Sequence, residues 1–192
     1  MRASSREHRT IAYGLPSGET LRRRVADLVP ALPLVYMSPM LAPLTIELRP
    51  YRRPDFEEAV AVWRASKRVA FPYVEIQQRY TRQDDARYFD AVLVAECAIW
   101  LAEVDERVAG LMALRDDLLD QMFVRVDLQR QGVGTALLQK AKQLSPTGLR
   151  LYTFQKNEPA RRFYERHGFR IARFSVSAPP ENEPHVEYCW DP

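Results

Sequence analysis

From Leu44 onward the hydrophobic positions switch repeatedly between two periods. "LTIELRPY" (44–51) alternates apolar and polar residues, the pattern of a strand with one buried face. In "RPDFEEAVAVWRASKR" (53–68), Phe56, Val60, Val62 and Trp63 form a stripe at helical spacing. Pro54 lies near its start, acids fill the first turn and bases the last, as the helix dipole favours. A further helix is predicted over Thr81–Val92, opened by a threonine cap with Asp84 and Asp85 close behind. "AIWLAEV" and "RVAGLMALR" flank Asp105 and Glu106 as a hairpin, and "LLDQMFVRV" is the next strand. Thr135–Leu144 reads as a helix with Leu137, Leu138, Ala141 and Leu144 on one side. "GLRLYTFQ" is a strand, "PARRFYERHGF" a helix closed by Gly168, and "RIARFSVSA" and "HVEYCWDP" two closing strands. The order β-α-α-β-β-β-α-β-α-β-β is that of a mixed α/β (α+β) domain.

Residues 1–42 follow no such pattern. They are arginine-rich, then punctuated by Pro30, Pro33 and Pro39, with one short helical candidate around Thr20–Leu28. They are read as a poorly ordered N-terminal extension without catalytic importance, and residues 43–192 as the domain. The scarcity of acids fits a mitochondrial-type presequence, but Glu7, Glu19 and Asp27 count against it. With 192 residues, the chain has room for one sizeable core. A net charge of +3 accommodates a local anion site and gives no basis for nucleic-acid binding. No apolar run is long enough to span a membrane. Cys97 and Cys189 are too few and too far apart for a disulfide framework or a zinc site, so the expectation is a cytoplasmic protein without a metal.

The seven glycines of the chain include two placed two apart in "QRQGVGTALLQKAK" (129–142), between a strand and a helix. A helix start offers free N–H groups and partial positive charge, and the absence of Cβ at 132 and 134 lets a phosphate approach them. Two glycines alone fit a plain turn equally well. A second stretch weighs against that: Gln129-Arg130-Gln131-Gly132-Val133-Gly134 has the form [RQ]-x-x-G-x-[GA], and "NEPARRFYERHGF" (157–169) has the form N-x-x-A-x-x-F-Y-E-x-x-G-F. With Met122-Phe123-Val124 ending the preceding strand, these stretches resemble, in order and spacing, the GNAT superfamily of acyl-CoA-dependent N-acyltransferases. The resemblance covers about residues 44 to 190. "DQMFV", "LYTFQKN" and "ENEPHVEYCW" are similar to a bacterial branch of that superfamily, which fixes the fold rather than the substrate.

The resemblance implies the GNAT fold: a mixed sheet of six to seven strands, splayed at the fourth and flanked by about four helices. It implies acetyl-CoA as co-substrate, its pantetheine arm pairing with the backbone of Met122 and Val124 beside Phe123. The diphosphate is expected on the N–H groups of Gln131, Gly132, Val133, Gly134 and Thr135, next to Gln129 and Arg130, with Lys140 or Arg162 as further cations. Asn157 and Ala160 complete the cofactor-binding set, and Tyr164 corresponds to the tyrosine that protonates the leaving thiolate. For the general base, Asp120 shares strand parity with Met122 and Val124 and is flanked by Leu118, Leu119 and Met122, a setting that suits a proton acceptor. Glu103, Glu183, His185 and a water chain are alternatives. The expected reaction is acetyl transfer to a primary amine of a small molecule; a protein or peptide N-acetyltransferase and a non-catalytic acyl-CoA-binding module are the rivals. An open acidic groove would mark a protein substrate, and an enclosed aromatic pocket, with residues 63–90 as one wall, a metabolite. Whether the chain forms a homodimer is left open.

Overall fold

The computed structural model describes residues 44–192, so the N-terminal extension and its helical candidate lie outside the described residues. Seven strands form one sheet in the order β1-β2-β3-β4-β5-β7-β6. They are β1 (Glu47–Pro50), β2 (Ala98–Val104), β3 (Arg107–Arg115), β4 (Leu118–Val124), β5 (Leu149–Phe154), β6 (Arg170–Val176) and β7 (Pro184–Trp190). The helices are α1 (Phe56–Ala70), α2 (Glu75–Arg79), α3 (Arg82–Tyr88), α4 (Val133–Leu144) and α5 (Glu158–Arg166). The sequence pattern misses α2, whose five residues are too few to show a period. The helix expected over Thr81–Val92 is α3 continued by a π-helical turn over Phe89–Val94, which brings Phe89 and Leu93 into the core. Its cap is reciprocal: Thr81 accepts from the Asp84 N–H, and the Asp84 carboxylate accepts from the Thr81 N–H.

Asp105 and Glu106 both take positive φ, which lets a two-residue turn follow the twist of β2 and β3. β3 is buried along most of its length because helices cover both faces of the sheet. Its side chains alternate between the two cores. Val108, Leu111 and Ala113 meet Val60 and Trp63 of α1 and Phe89 and Leu93 of the π turn. Ala109, Met112 and Leu114 belong to the cluster with Leu137, Leu138 and Ala141 of α4 and Tyr164 of α5. Leu144, expected on that buried side, is exposed at the last turn of α4.

Every other neighbouring pair of strands is antiparallel, but β4 and β5 are parallel and share one register pair, Leu118↔Arg150. Beyond it the two strands part. The splay expected at the fourth strand is therefore present, and it turns the free edge of β4 toward the gap. The other edge of β4 is tight. A Cβ at Gly110 would stand 2.8 Å from the Phe123 carbonyl oxygen and 3.3 Å from the Val124 Cα, so only glycine lets β3 and β4 lie this close. Gly110→Ala is expected to cost about 1–3 kcal/mol by overpacking. Urea unfolding checks this, and an unchanged midpoint would contradict it.

Candidate active site

The gap between β4 and β5 opens into a cleft of about 1970 Å³ lined by both strands, α1 to α3, the α4 loop, α5 and the segment before β7. Arg125 N–H donates to the Ala109 carbonyl of β3 at 2.8 Å. By strand alternation, the N–H and C=O groups of Val124 and Met122 then point the opposite way, into the gap. The Val124 carbonyl accepts from Ser66 Oγ at 3.0 Å and from the Gln129 side-chain amide at 3.3 Å. At the other side of the opening, Phe71 packs edge-on against Phe154 of β5, with ring centroids 4.9 Å apart, and against Phe123 of β4 at 5.9 Å. A single ring from the α1–α2 connection thus contacts both parted strands.

The glycine loop turns sharply into α4. Arg130 and Gly132 have φ of 62° and 94°, left-handed angles that suit glycine far better than a side chain. Gly134 has an ordinary angle; a Cβ there would rest 3.6 Å from Phe163 and Val124, so a methyl fits and a larger group meets both. The first intrahelical bond is Ala136 N–H to Gly132 O, which leaves the N–H groups of Gly132 to Thr135 free at the dipole's positive end. Arg130, Arg162 and Arg166 line this half of the cleft, Arg162 pairing with Glu158 of its own helix at 2.8 Å. Asn157 caps α5 by accepting from the Ala160 N–H at 3.3 Å. Tyr164 is 8% exposed, packed against Phe163, Phe169 and Tyr188, yet it lines the cleft. Burial alone pushes its phenol well above the ordinary value, so it is a protonated donor at neutral pH.

The opposite half is walled by aromatics, among them Trp63, Tyr73, Tyr80 and Tyr88, with Trp63 and Tyr88 stacked nearly parallel. Lys67 is inserted here above the Trp63 ring, its Nζ 2.5 Å from Asp85, a carboxylate 2% exposed that Arg64 also contacts. Burial lowers the Lys67 ammonium to about 8, and the neighbouring Arg64 charge adds to the lowering.

Residues 95–171 match the family described as the acetyltransferase (GNAT) domain. Peptidyl-lysine N-acetyltransferase YiaC of Escherichia coli is 32% identical over 125 residues, covering 65% of this chain and 83% of that protein. Peptidyl-lysine N-acetyltransferase YjaB of Escherichia coli is 30% identical over 130 residues, covering 67% and 84%. The chain belongs to the GNAT superfamily. It is an N-acetyltransferase. The fold agrees with the solution structure of apo YjaB from Escherichia coli, with a TM-score of 0.62 at 24% identity over 77% of this chain and 98% of that one. A GCN5-related N-acetyltransferase from Rhodopseudomonas palustris gives 0.65 at 21% identity over 77% and 96%.

Within this GNAT domain, Asp120, Met122, Phe123, Val124, Gln129, Arg130, Gly132, Gly134, Thr135, Asn157, Ala160 and Tyr164 all line one cleft. Val133 is completely buried and Gln131 donates its side-chain amide to the Asp127 carbonyl, so neither puts its side chain into the cleft. Asp120 accepts from Arg115 at 3.2 Å and from the Gln121 amide at 2.9 Å, while Gln121 accepts from the Trp63 indole. The expected apolar setting is thus replaced by a hydrogen-bonded chain. Glu103 pairs with Arg49 on β1 and Glu183 with Lys156; neither lines the cleft. Lys140 sits over the Trp100 ring, away from the loop. His185 does line it, tied to Ser175 at 2.6 Å.

Ser66, Lys67, Phe71 and Asp85 fall in the stretch 63–90 expected as one wall, though sequence reasoning singled out none of them for the site, and it missed Glu181. Each acts through a partner distant in the chain, so no local spacing announces it. Asp85→Asn removes the charge that answers two cations, and breaking such a buried pair costs about 3–5 kcal/mol. Chemical denaturation should register that loss, and a change under about 1 kcal/mol would show that the pair contributes little.

Proposed function

We propose that the chain transfers the acetyl group of acetyl-CoA to a primary alkyl amine by direct attack. The observation that carries the reading is the junction of three features in one cleft: the free edge of β4, the N–H groups opening α4, and the buried phenol of Tyr164. The first, through the Met122 backbone and the Val124 N–H while Ser66 and Gln129 hold the Val124 carbonyl, suits an extended, amide-bearing pantetheine arm as an added strand. The second, with Arg130, Arg162 and Arg166 nearby, suits the diphosphate. The names of two relatives favour a lysine side chain of a peptide over a small metabolite as acceptor. The aromatic walls fit the alkyl stem of either.

In this reading the amine nitrogen attacks the thioester carbonyl carbon and a tetrahedral adduct forms. Its collapse breaks the C–S bond, the Tyr164 hydroxyl gives the leaving sulfur its proton, and solvent entering the cleft as product leaves returns a proton to the phenolate. The amine sheds its own proton to Asp120 or to water leading from it, a route open once Asp120 loosens its bonds to Arg115 and Gln121. The Tyr164 proton is held because burial disfavours the phenolate.

Two variants test the halves separately. Gly132→Val places a branched side chain at a left-handed angle in the diphosphate path, and CoA affinity should fall at least about tenfold. Calorimetry on the folded variant checks it, and unchanged affinity would remove the loop from CoA binding. Tyr164→Phe keeps the ring packing and should keep CoA affinity, while single-turnover thiol release slows by about 10²–10⁴. Turnover within about twofold of the parent would assign the proton to another donor.

A further inference from the structure

We propose that Glu181, together with the Gln77 amide oxygen and the Tyr73 hydroxyl, recognises the positive charge of the acceptor amine. This rests on the acetyl-transfer reading and names the acceptor's chemical class, an alkylammonium.

The cleft is lined by four carboxylates, and three are already answered by cations. Asp84 faces Arg87 at 3.7 Å, Asp85 is held by Lys67 and Arg64, and Asp120 by Arg115 at 3.2 Å. Glu181 has no such partner among the described residues. Lys67 exerts some field on it, but the Lys67 ammonium is committed to Asp85. Lys156, on the β5–α5 connection, lies over the Tyr73 ring, and its ammonium pairs with Glu183 at 3.1 Å rather than with Glu181.

What does touch Glu181 is the Gln77 side chain of α2, whose Nε2 donates to Glu181 Oε1 at 2.8 Å across the cleft. A carboxylate only accepts, so this bond fixes the amide's orientation. Gln77 Oε1 must then face away as an acceptor, and it is buried with no partner. The Tyr73 hydroxyl is likewise buried and unpartnered. An unpaired polar atom in a protein interior is costly, so two such atoms in the lining of a cleft that also holds one unanswered carboxylate point to a missing polar guest. The Gln77 oxygen and the Glu181 carboxylate only accept and the Tyr73 hydroxyl can accept, a set that matches an ammonium with its N–H donors; an anionic guest would meet repulsion. Phe71 and Phe154 pack against Tyr73 and supply an apolar wall for the guest's alkyl stem.

The test is calorimetric titration of the protein, with and without CoA, using Nα-acetyl-lysine methylamide and its uncharged isostere Nα-acetyl-norleucine methylamide. The parent should bind the lysine compound at least about tenfold tighter. Glu181→Gln should abolish most of that preference while CoA affinity and the melting temperature stay unchanged, and Tyr73→Phe should reduce it in part. In turnover, the Glu181→Gln effect should fall on KM for the amine far more than on kcat. The inference is overturned if the parent shows no preference, if it binds neither compound, or if Glu181→Gln retains the preference. Should Glu181→Gln fail to fold, Gln77→Leu must abolish the preference instead. Failure of the acetyl-transfer reading would look different: no CoA binding or no thiol release by the parent.

Discussion

Parallel strands depend on an even ladder to stay together, and β4 and β5 have almost none. After Leu118↔Arg150 their backbones separate, and polar groups that a sheet would normally satisfy are left facing a gap. That single constraint explains much of the surrounding architecture. Ser66 and Gln129 reach in to occupy the Val124 carbonyl, and Phe71 lies against rings of both strands where they have parted. Gly110 permits β3 to hold the opposite edge of β4 closely, so the opening falls on one side only.

The cleft that results is divided in polarity as well as in shape. Around the start of α4 and along α5 the lining charges are basic, and they add to the positive end of a helix whose first N–H groups are free. The other half carries carboxylates and aromatic rings, with most charges paired inside the wall itself. In the proposed reading, an elongated anionic donor and a cationic acceptor enter from opposite ends and meet near Tyr164. The tyrosine suits that position because apolar packing holds its proton, while the ring's contacts with Phe163, Phe169 and Tyr188 fix where the hydroxyl points.

Much of this site is legible in the chain's own pattern. The glycine loop and the Asn157–Phe169 stretch are contiguous, their residues act through backbone angle and helix position, and Gly132 and Gly168 take the left-handed angles that local sequence implies. Asp120 is legible as a cleft residue but not as a member of a chain running from Trp63 through Gln121 to Arg115. Glu103, Glu183 and Lys140 qualify for the chemistry by residue type alone, and contacts with Arg49, Lys156 and Trp100 already occupy them.

The sequence by itself determined the order of the strands and of every helix but the five-residue α2, because hydrophobic period, caps and turn residues act over a few positions. It also pointed to a helix start able to receive an anion, because free N–H groups follow from the loop's own backbone. Only the tertiary structure decided which carboxylates are answered and which is left open. Asp85 is neutralised by residues 18 and 21 positions away and Glu181 is reached by a glutamine 104 positions away, pairings set by how α1, α2 and the segment before β7 close around the parted strands. Charge is a property of the residue, but its availability to a substrate depends on every neighbour the fold brings within reach.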